Sequence, residues 1–264
     1  MKPIKSISIL VLLFTIVSSP VYAAKVSISP TAYYFNYEEF STTGISLDKE
    51  TGFVPGIKLV LDYQIQSLLI SPYISVYDGK VTYSGSTQSG QPHKTQTLQN
   101  ILYYGINMSL PYERNNQYKI TLGIRNAYWD RDILTRNNIR GLHELYSWFE
   151  ASAGLSFNSK IIDNSQYTAG VSILYILQPE MKIYLENSTE TLKLGVSPGL
   201  RFSVGKTWKQ SGYKLGINLF SEYWQFGRSN TIFTNDFFGS SVFITEPESN
   251  SFHTGIELIY SSRF

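Results

Sequence analysis

Cysteine is absent from the 264 residues, which excludes disulfides, thiolate catalysis and Cys-ligated metals. Charge is scarce: Asp, Glu, Lys and Arg together make up 16%, against roughly 25% in ordinary soluble domains. The formal net charge is only +2 and basic residues nowhere run together, so nucleic acid is not an expected partner. No long apolar stretch follows position 24, so the chain beyond it cannot cross a membrane as a helix. Metal-ligand spacings and phosphate-cradling glycine loops are missing too, and neither a metal nor another cofactor is expected. Nothing in the composition past the first two dozen residues marks a second domain.

Aromatics, in contrast, reach 15%, with 20 Tyr among them. At the N-terminus Lys2 and Lys5 precede the apolar run from Ile7 to Val17, followed by Ser18, Ser19, Pro20, Val21, Tyr22 and Ala23. Those are the three regions of a secretory signal, and the apolar run is too short for a membrane helix of about 20 residues. A signal peptide is expected over 1–23, with the mature chain over 24–264.

From residue 25 the apolar period is two, in segments separated by turn chemistry. Phe252, Thr254, Ile256, Leu258, Tyr260, Ser262 and Phe264 share one face; His253, Gly255, Glu257, Ile259, Ser261 and Arg263 share the other. Ile57, Leu59, Leu61 and Tyr63 alternate with Lys58, Val60 and Asp62. Tyr118, Ile120, Leu122 and Ile124 alternate with Lys119, Thr121, Gly123 and Arg125. Leu192, Leu194, Val196, Leu200, Phe202 and Val204 oppose Lys193, Gly195, Ser197, Gly199, Arg201 and Ser203. A soluble β-sandwich alternates as well.

The connections discriminate better. Strands are expected near 26–40, 53–63, 68–78, 97–110, 117–129, 143–157, 166–177, 191–205, 213–227 and 251–264. Short turns then alternate with longer loops, as in an outer-membrane barrel with short periplasmic turns and longer extracellular loops. The expected fold is all-β, a transmembrane up-and-down antiparallel barrel of ten strands, with eight or twelve as alternatives. An even count puts both termini in the periplasm of a Gram-negative-type envelope.

Three places strain this scheme. Val26 and Ile28 fall out of phase with Tyr33, Phe35 and Tyr37, which suggests a bulge near Pro30. Pro72 and Pro198 sit inside strands and also call for bulges. Ile183 to Leu185 are able to extend their strands above the membrane. Elsewhere, Tyr63, Tyr118, Tyr175, Tyr213, Tyr260 and Phe264 fall near strand ends on the outer face, where interfacial girdles lie.

The inward face carries Lys58, Asp62, Arg125, Glu144, Glu150, Lys193, Arg201, Lys214, Glu222, Glu257 and Arg263, with Tyr146, Trp148 and Trp224 among them. Either these form a packed network of paired charges filling a narrow lumen, or they line a path for ions or small solutes. Asp130, Asp132, His143 and Glu144 sit at the two ends of one long loop. A carboxylate beside a His suits general-base chemistry; the bland alternative is a solvated loop with Arg131, Arg136 and Arg140 interspersed. In the last loop Phe233, Phe237, Phe238 and Phe243 either make contacts with a partner or extend the final hairpin.

Tyr260 and the terminal Phe264, with apolar or small residues alternating back to Phe252, resemble the terminal-strand signal by which barrel assembly machinery recognises outer-membrane proteins. Gly123 to Asp132, Glu144 to Trp148 and Pro247 to Asn250 resemble features of uncharacterised proteobacterial outer-membrane barrels, which imply no activity. Size and strand number are similar to those of the omptins, ten-stranded outer-membrane proteases that use one Asp pair and one Asp/His pair. Asp130 and Asp132 resemble the first pair. The second has no counterpart, because His143 is followed by Glu144, and His93 and His253 have no Asp two residues away.

The expected function is therefore non-enzymatic, with extracellular loops for surface interaction or envelope structure. A narrow channel and a rim hydrolase acting on peptides or lipid A are the alternatives. The implied partners are outer-membrane lipid, lipopolysaccharide and the barrel assembly machinery.

Overall fold

The computed structural model describes residues 25–86, 90–112, 117–185, 188–235 and 239–263. The expected signal peptide, Phe237, Phe238 and Phe264 lie outside the described residues. Thirteen strands occur in chain order: β1 Lys25–Phe40, β2 Ser46–Ile65, β3 Leu68–Ser86, β4 Pro92–Pro111, β5 Tyr118–Ile133, β6 Leu142–Asn158, β7 Ser165–Tyr184, β8 Thr189–Lys193, β9 Pro198–Lys209, β10 Tyr213–Phe226, β11 Ile232–Asn235, β12 Ser241–Ile244 and β13 Glu248–Arg263. No helix occurs among them.

Each long strand pairs antiparallel with the next, β8 and β9 lie end to end against β7, and β13 pairs with both β10 and β1. The sheet thus closes on itself as a barrel of ten staves. Closure runs from Lys25 opposite Arg263 to Phe40 opposite Glu248. Tight hairpins follow from sequence. Asn137 and Asn138, like Asp163 and Asn164, all take positive φ, the left-handed pair that a two-residue hairpin turn needs and that Asn and Asp tolerate.

Over the half nearer the termini, the outer face is apolar: Ile120, Leu122 and Ile124 on β5, Leu200, Phe202 and Val204 on β9, Ile256 and Leu258 on β13. Tyr118, Tyr213 and Tyr260 border this belt below, and Tyr34, Tyr128, Tyr175, Tyr223 and Phe252 border it above. At the tilt usual for such barrels, the rise from Tyr118 to Tyr128 is about 25 Å, the height of a hydrocarbon-facing band. Tyr63, expected in a girdle, is nearly covered.

Beyond the upper aromatic rim the faces exchange character. The outside now carries Glu38, Lys49, Lys80, Asp130 and Lys182, while the inside is filled by Phe35, Tyr37, Ile101, Trp129, Tyr146 and Met181. This exchange, and not a bulge, accounts for the apparent phase change in β1. The β1–β2 register runs unbroken from Lys25 opposite Asp62 to Glu39 opposite Asp48. Tyr33, Phe35 and Tyr37 point inward with Ser27 and Ser29.

Pro72 needs no bulge either. The β2–β3 ladder omits the pairs at Leu61 and Asp62 and resumes in the same register, so the missing N–H is absorbed by a local gap. A true bulge occurs elsewhere. Gln178, at φ +47°, is the extra residue in β7 where the β6–β7 register shifts between Ser147 and Phe149. The neighbouring stave is interrupted over 194–197, just before Pro198. Below the break Arg201 and Ser203 face the lumen; above it Leu192 and Leu194 do, and Lys193 turns outward, the reverse of the expected assignment for those three. There Gly195 and Gly227 exchange backbone hydrogen bonds of 3.0 Å. A Cβ on Gly195 would stand 2.8 Å from the Gly227 Cα, so no larger residue fits.

The expected long loops are mostly strand, because β2, β3, β4, β5 and β7 all continue past the upper rim. Strand-on-strand pairing there satisfies backbone groups that an irregular loop would leave to water.

An arginine in the middle of the belt meets hydrocarbon, whereas one on the outer face beyond the upper rim meets water. Leu122→Arg is expected to cost about 2–4 kcal/mol of folding free energy in lipid vesicles and Gln96→Arg no more than about 1 kcal/mol, as read from denaturant titrations of both variants.

Candidate functional site

The lumen contains four layers. Nearest the termini, Lys25 bonds Asp62 at 2.7 Å and Lys58 bonds Glu257 at 3.0 Å. Asn218 and Ser71 donate to the same two carboxylates. Above them Arg125 donates to Glu150 at 2.6 Å and to Glu222 at 2.5 Å, and Arg201 donates to both of those carboxylates as well. Each acid therefore bridges two guanidiniums, and Tyr103 covers Arg125 with its ring 4.2 Å away. Among these eight groups opposite charges are equal in number, as burial demands, since an unpaired charge in low dielectric is costly.

The third layer is aromatic. Tyr33 stacks on His253 at 4.4 Å, and Trp224 meets the same ring edge-on at 4.2 Å. Trp129 stacks on Tyr146 at 4.6 Å, Phe226 stands edge-on to Trp148 at 5.2 Å, and Phe35 and Tyr37 meet Trp129 edge-on. Every one of these rings is at most 4% exposed. Below them lies a terminus-end cavity of about 1010 Å³ and above them a loop-end cavity of about 620 Å³; the two share no lining residue.

The upper layer is acidic. Arg131, 1% exposed, donates to Glu144 at 2.6 Å, Glu50 at 3.0 Å and Glu39 at 3.1 Å, with Asp48 at 3.6 Å. Thr97 and Gln99 also donate to Glu50. A fifth carboxylate, Glu246, arrives from the last loop and accepts a 2.6 Å hydrogen bond from the Tyr146 hydroxyl. The loop is held over the barrel mouth by the Ser229 hydroxyl accepting from the Glu246 N–H at 2.8 Å, and by Thr234 donating to Glu190 at 2.7 Å. Its hairpin, β11–β12, turns Ile232 and Ile244 toward the core and leaves Phe233 and Phe243 exposed, 5.1 Å apart.

The pleat divides the cluster Asp130, Asp132, His143 and Glu144. Asp130 and His143 meet at 2.9 Å on the outer wall, with His143 stacked on Tyr184 at 4.5 Å. Asp132 sits opposite His143 in register on that wall, and Glu144 faces the lumen with Arg131. The Asp130–His143 pair is more than two-fifths exposed on both sides and borders neither end cavity. Lys58, Asp62, Arg125, Glu150, Arg201, Glu222 and Glu257 converge in the two lower layers. Tyr260 faces outward with its ring 5.9 Å from Tyr213.

Sequence reasoning missed Arg131, Glu39, Asp48, Glu50, Glu246 and His93. Asp48 and Glu50 share parity with Lys58 and Asp62, so carrying the β2 alternation seven residues further back would have placed them. Glu246 reaches the cluster by a loop excursion that no periodicity reports.

No protein-family model and no curated protein matches this chain. Among solved structures it is similar to the outer membrane protease OmpT from Escherichia coli, at 10% identity and a TM-score of 0.61, over 94% of this chain and 98% of that one. A weaker likeness joins it to the translocator domain of the autotransporter NalP from Neisseria meningitidis, at 8% identity and a TM-score of 0.46 over 97% and 94%. The outer membrane protein OprG from Pseudomonas aeruginosa matches at 8% identity and a TM-score of 0.40 over 92% and 97%. At these identities the likeness is one of fold.

Burial, with Glu39 and Glu144 nearby, pushes the Glu246 carboxyl well above the usual carboxylate range, against the pull of Arg131 and the Tyr146 hydroxyl. A carboxyl raised in the folded state stabilises fully below its unfolded value of about 4.3, and that stabilisation is lost as pH rises through the folded value. The segments 227–235 and 239–247 are accordingly expected to lose amide-exchange protection as pH rises. Glu246→Gln is expected to remove most of that loss and to match the wild type at about pH 4, both measured by hydrogen exchange.

Proposed function

We propose that the protein is an occluded outer-membrane barrel, neither channel nor hydrolase, whose loop end serves as a recognition face. The single observation carrying this reading is the aromatic layer between the two end cavities. A barrel of about eight strands is filled by its own side chains, whereas water-filled channels belong to barrels of about 16 to 18. With ten staves, Trp129, Trp148, Trp224, Tyr33, Phe35 and Phe226 suffice to close the bore.

The apolar belt and its two aromatic rims suit hydrocarbon and its interfaces, and the polar outer wall above suits lipopolysaccharide. In this reading both termini face the periplasm, residues 1–23 direct export, and Tyr260 with Phe264 addresses the assembly machinery. The exposed Phe233 and Phe243, carried on a hairpin pinned over the mouth, fit a contact surface. The outward Asp130–His143 pair stands on the far side of the wall from the lumen carboxylates, so the geometry supports recognition better than hydrolysis.

Purified protein reconstituted in a planar bilayer is expected to be electrically silent. The double variant Trp148→Ala/Trp224→Ala, which removes two rings 6.1 Å apart, is expected to pass small ions. Discrete conductance steps from the wild-type barrel would overturn the reading.

A further inference from the structure

The upper layer differs from the two charged layers lower in the bore in charge balance. Below, Lys25, Lys58, Arg125 and Arg201 each meet an acid. Above, Glu39, Asp48, Glu50, Glu144 and Glu246 surround the one guanidinium of Arg131, and Arg140 at the rim is the only other cation bordering the loop-end cavity among the described residues. Buried like charges repel strongly in low dielectric, so this excess of acid is a standing cost in the protein alone.

A second, separate observation marks the same cavity. His93 is 8% exposed and borders it from β4, yet its Nε2 has no hydrogen-bond partner. Asp48, equally buried on β2, leaves Oδ1 without a partner. Buried polar atoms nearly always find partners, so orphaned ones lining a cavity point to a group that arrives from outside. Much of the remaining cavity wall is apolar, with Ile133, Leu142, Ile183, Leu185 and Ile244. The volume, about 620 Å³, falls within the range usual for small-molecule sites.

We infer that the loop-end cavity binds a small organic cation with an apolar body, an ammonium or amidinium group on a ring or short chain. Its charged end sits among Asp48, Glu246 and His93, and its apolar body lies against Leu142, Ile183 and Ile244. A bare divalent ion fits less well, because no group of acid or His side chains among the described residues is arranged to hold a metal, and a hydrated ion gains nothing from the aliphatic wall. The charge supplied by the ligand favours ionisation of Asp48 and Glu246, which burial and the neighbouring acids oppose, so binding is expected to release protons and to tighten as pH rises. The inference rests on the loop end being the recognition face; it does not depend on the electrical silence of the barrel.

The test titrates the full mature barrel, in a non-ionic detergent, with phenethylammonium by calorimetry in two buffers of different ionisation enthalpy. Expected are saturable one-to-one binding, proton release near neutral pH, and affinity about tenfold weaker in Asp48→Asn/Glu246→Gln. Leu142→Trp, which fills the apolar wall and leaves the acids in place, is expected to weaken binding as well. Both variants are checked for the fast, compact migration of a folded barrel in unheated gels. Equal affinity for neutral 2-phenylethanol, one-for-one displacement by calcium, or no saturable binding to folded wild-type barrel overturns the inference. Conductance of the same preparation tests occlusion separately, so the two failures are distinguishable.

Discussion

A barrel wall one strand thick has to satisfy two surroundings with alternate side chains, and the outer surroundings change part way along its height. Over the lower half the outside meets hydrocarbon, so apolar residues go out and polar ones are left for the bore. Past the rim formed by Tyr34, Tyr128, Tyr175, Tyr223 and Phe252, the outside is polar, and the apolar residues move inside. Most strands do not change phase to achieve this; the exceptions are β7, at its Gln178 bulge, and the neighbouring stave, across its break. β1 keeps one register from Lys25 to Glu39 while its apolar positions pass from Ile28, facing out, to Phe35, facing in.

Each half then has its own way of filling the bore. Below, polar side chains are obliged to face inward, and because burial punishes an unpaired charge they are arranged in neutral pairs and a four-membered network around Arg125 and Arg201. Small residues make these approaches possible: a Cβ on Gly105 would collide with the Ile124 carbonyl oxygen and the Arg125 Cβ. Above, aromatic rings close the bore by edge and stacking contacts, as the core of a soluble protein does. The exception is the uppermost layer, where five acids gather around Arg131. That imbalance is a feature of the lumen that packing alone does not explain.

The fold was largely legible in the chain. Period-two alternation in β5, β9 and β13 and the rhythm of short turns and longer connections carried the strand count, because both are properties of short stretches of backbone. The lower charge network was legible in part: Lys58, Asp62, Arg125, Glu150, Arg201, Glu222 and Glu257 are the charged members of polar faces. The upper site was not. Arg131 reads as a loop charge between two aspartates until β5 is known to continue past the membrane, and Asp48 and Glu50 read as loop residues for the same reason. The inward turn of Leu192 and Leu194 depends on an interruption at 194–197 matched by the bulge at Gln178 on the neighbouring stave, a correction shared between two strands and invisible in either alone.

Taken by itself, the amino-acid order determined that the chain forms strands, which residues share a face within an uninterrupted stretch, and a stave count put at ten with eight or twelve left open, since alternation and turn chemistry act between near neighbours. Which face looks inward at each height, and which acids meet which guanidinium, was decided only by closure. Residues as far apart in the chain as Glu39, Arg131 and Glu246 come together when β13 pairs with β1, and the low dielectric of the closed bore then sets the terms on which their charges coexist.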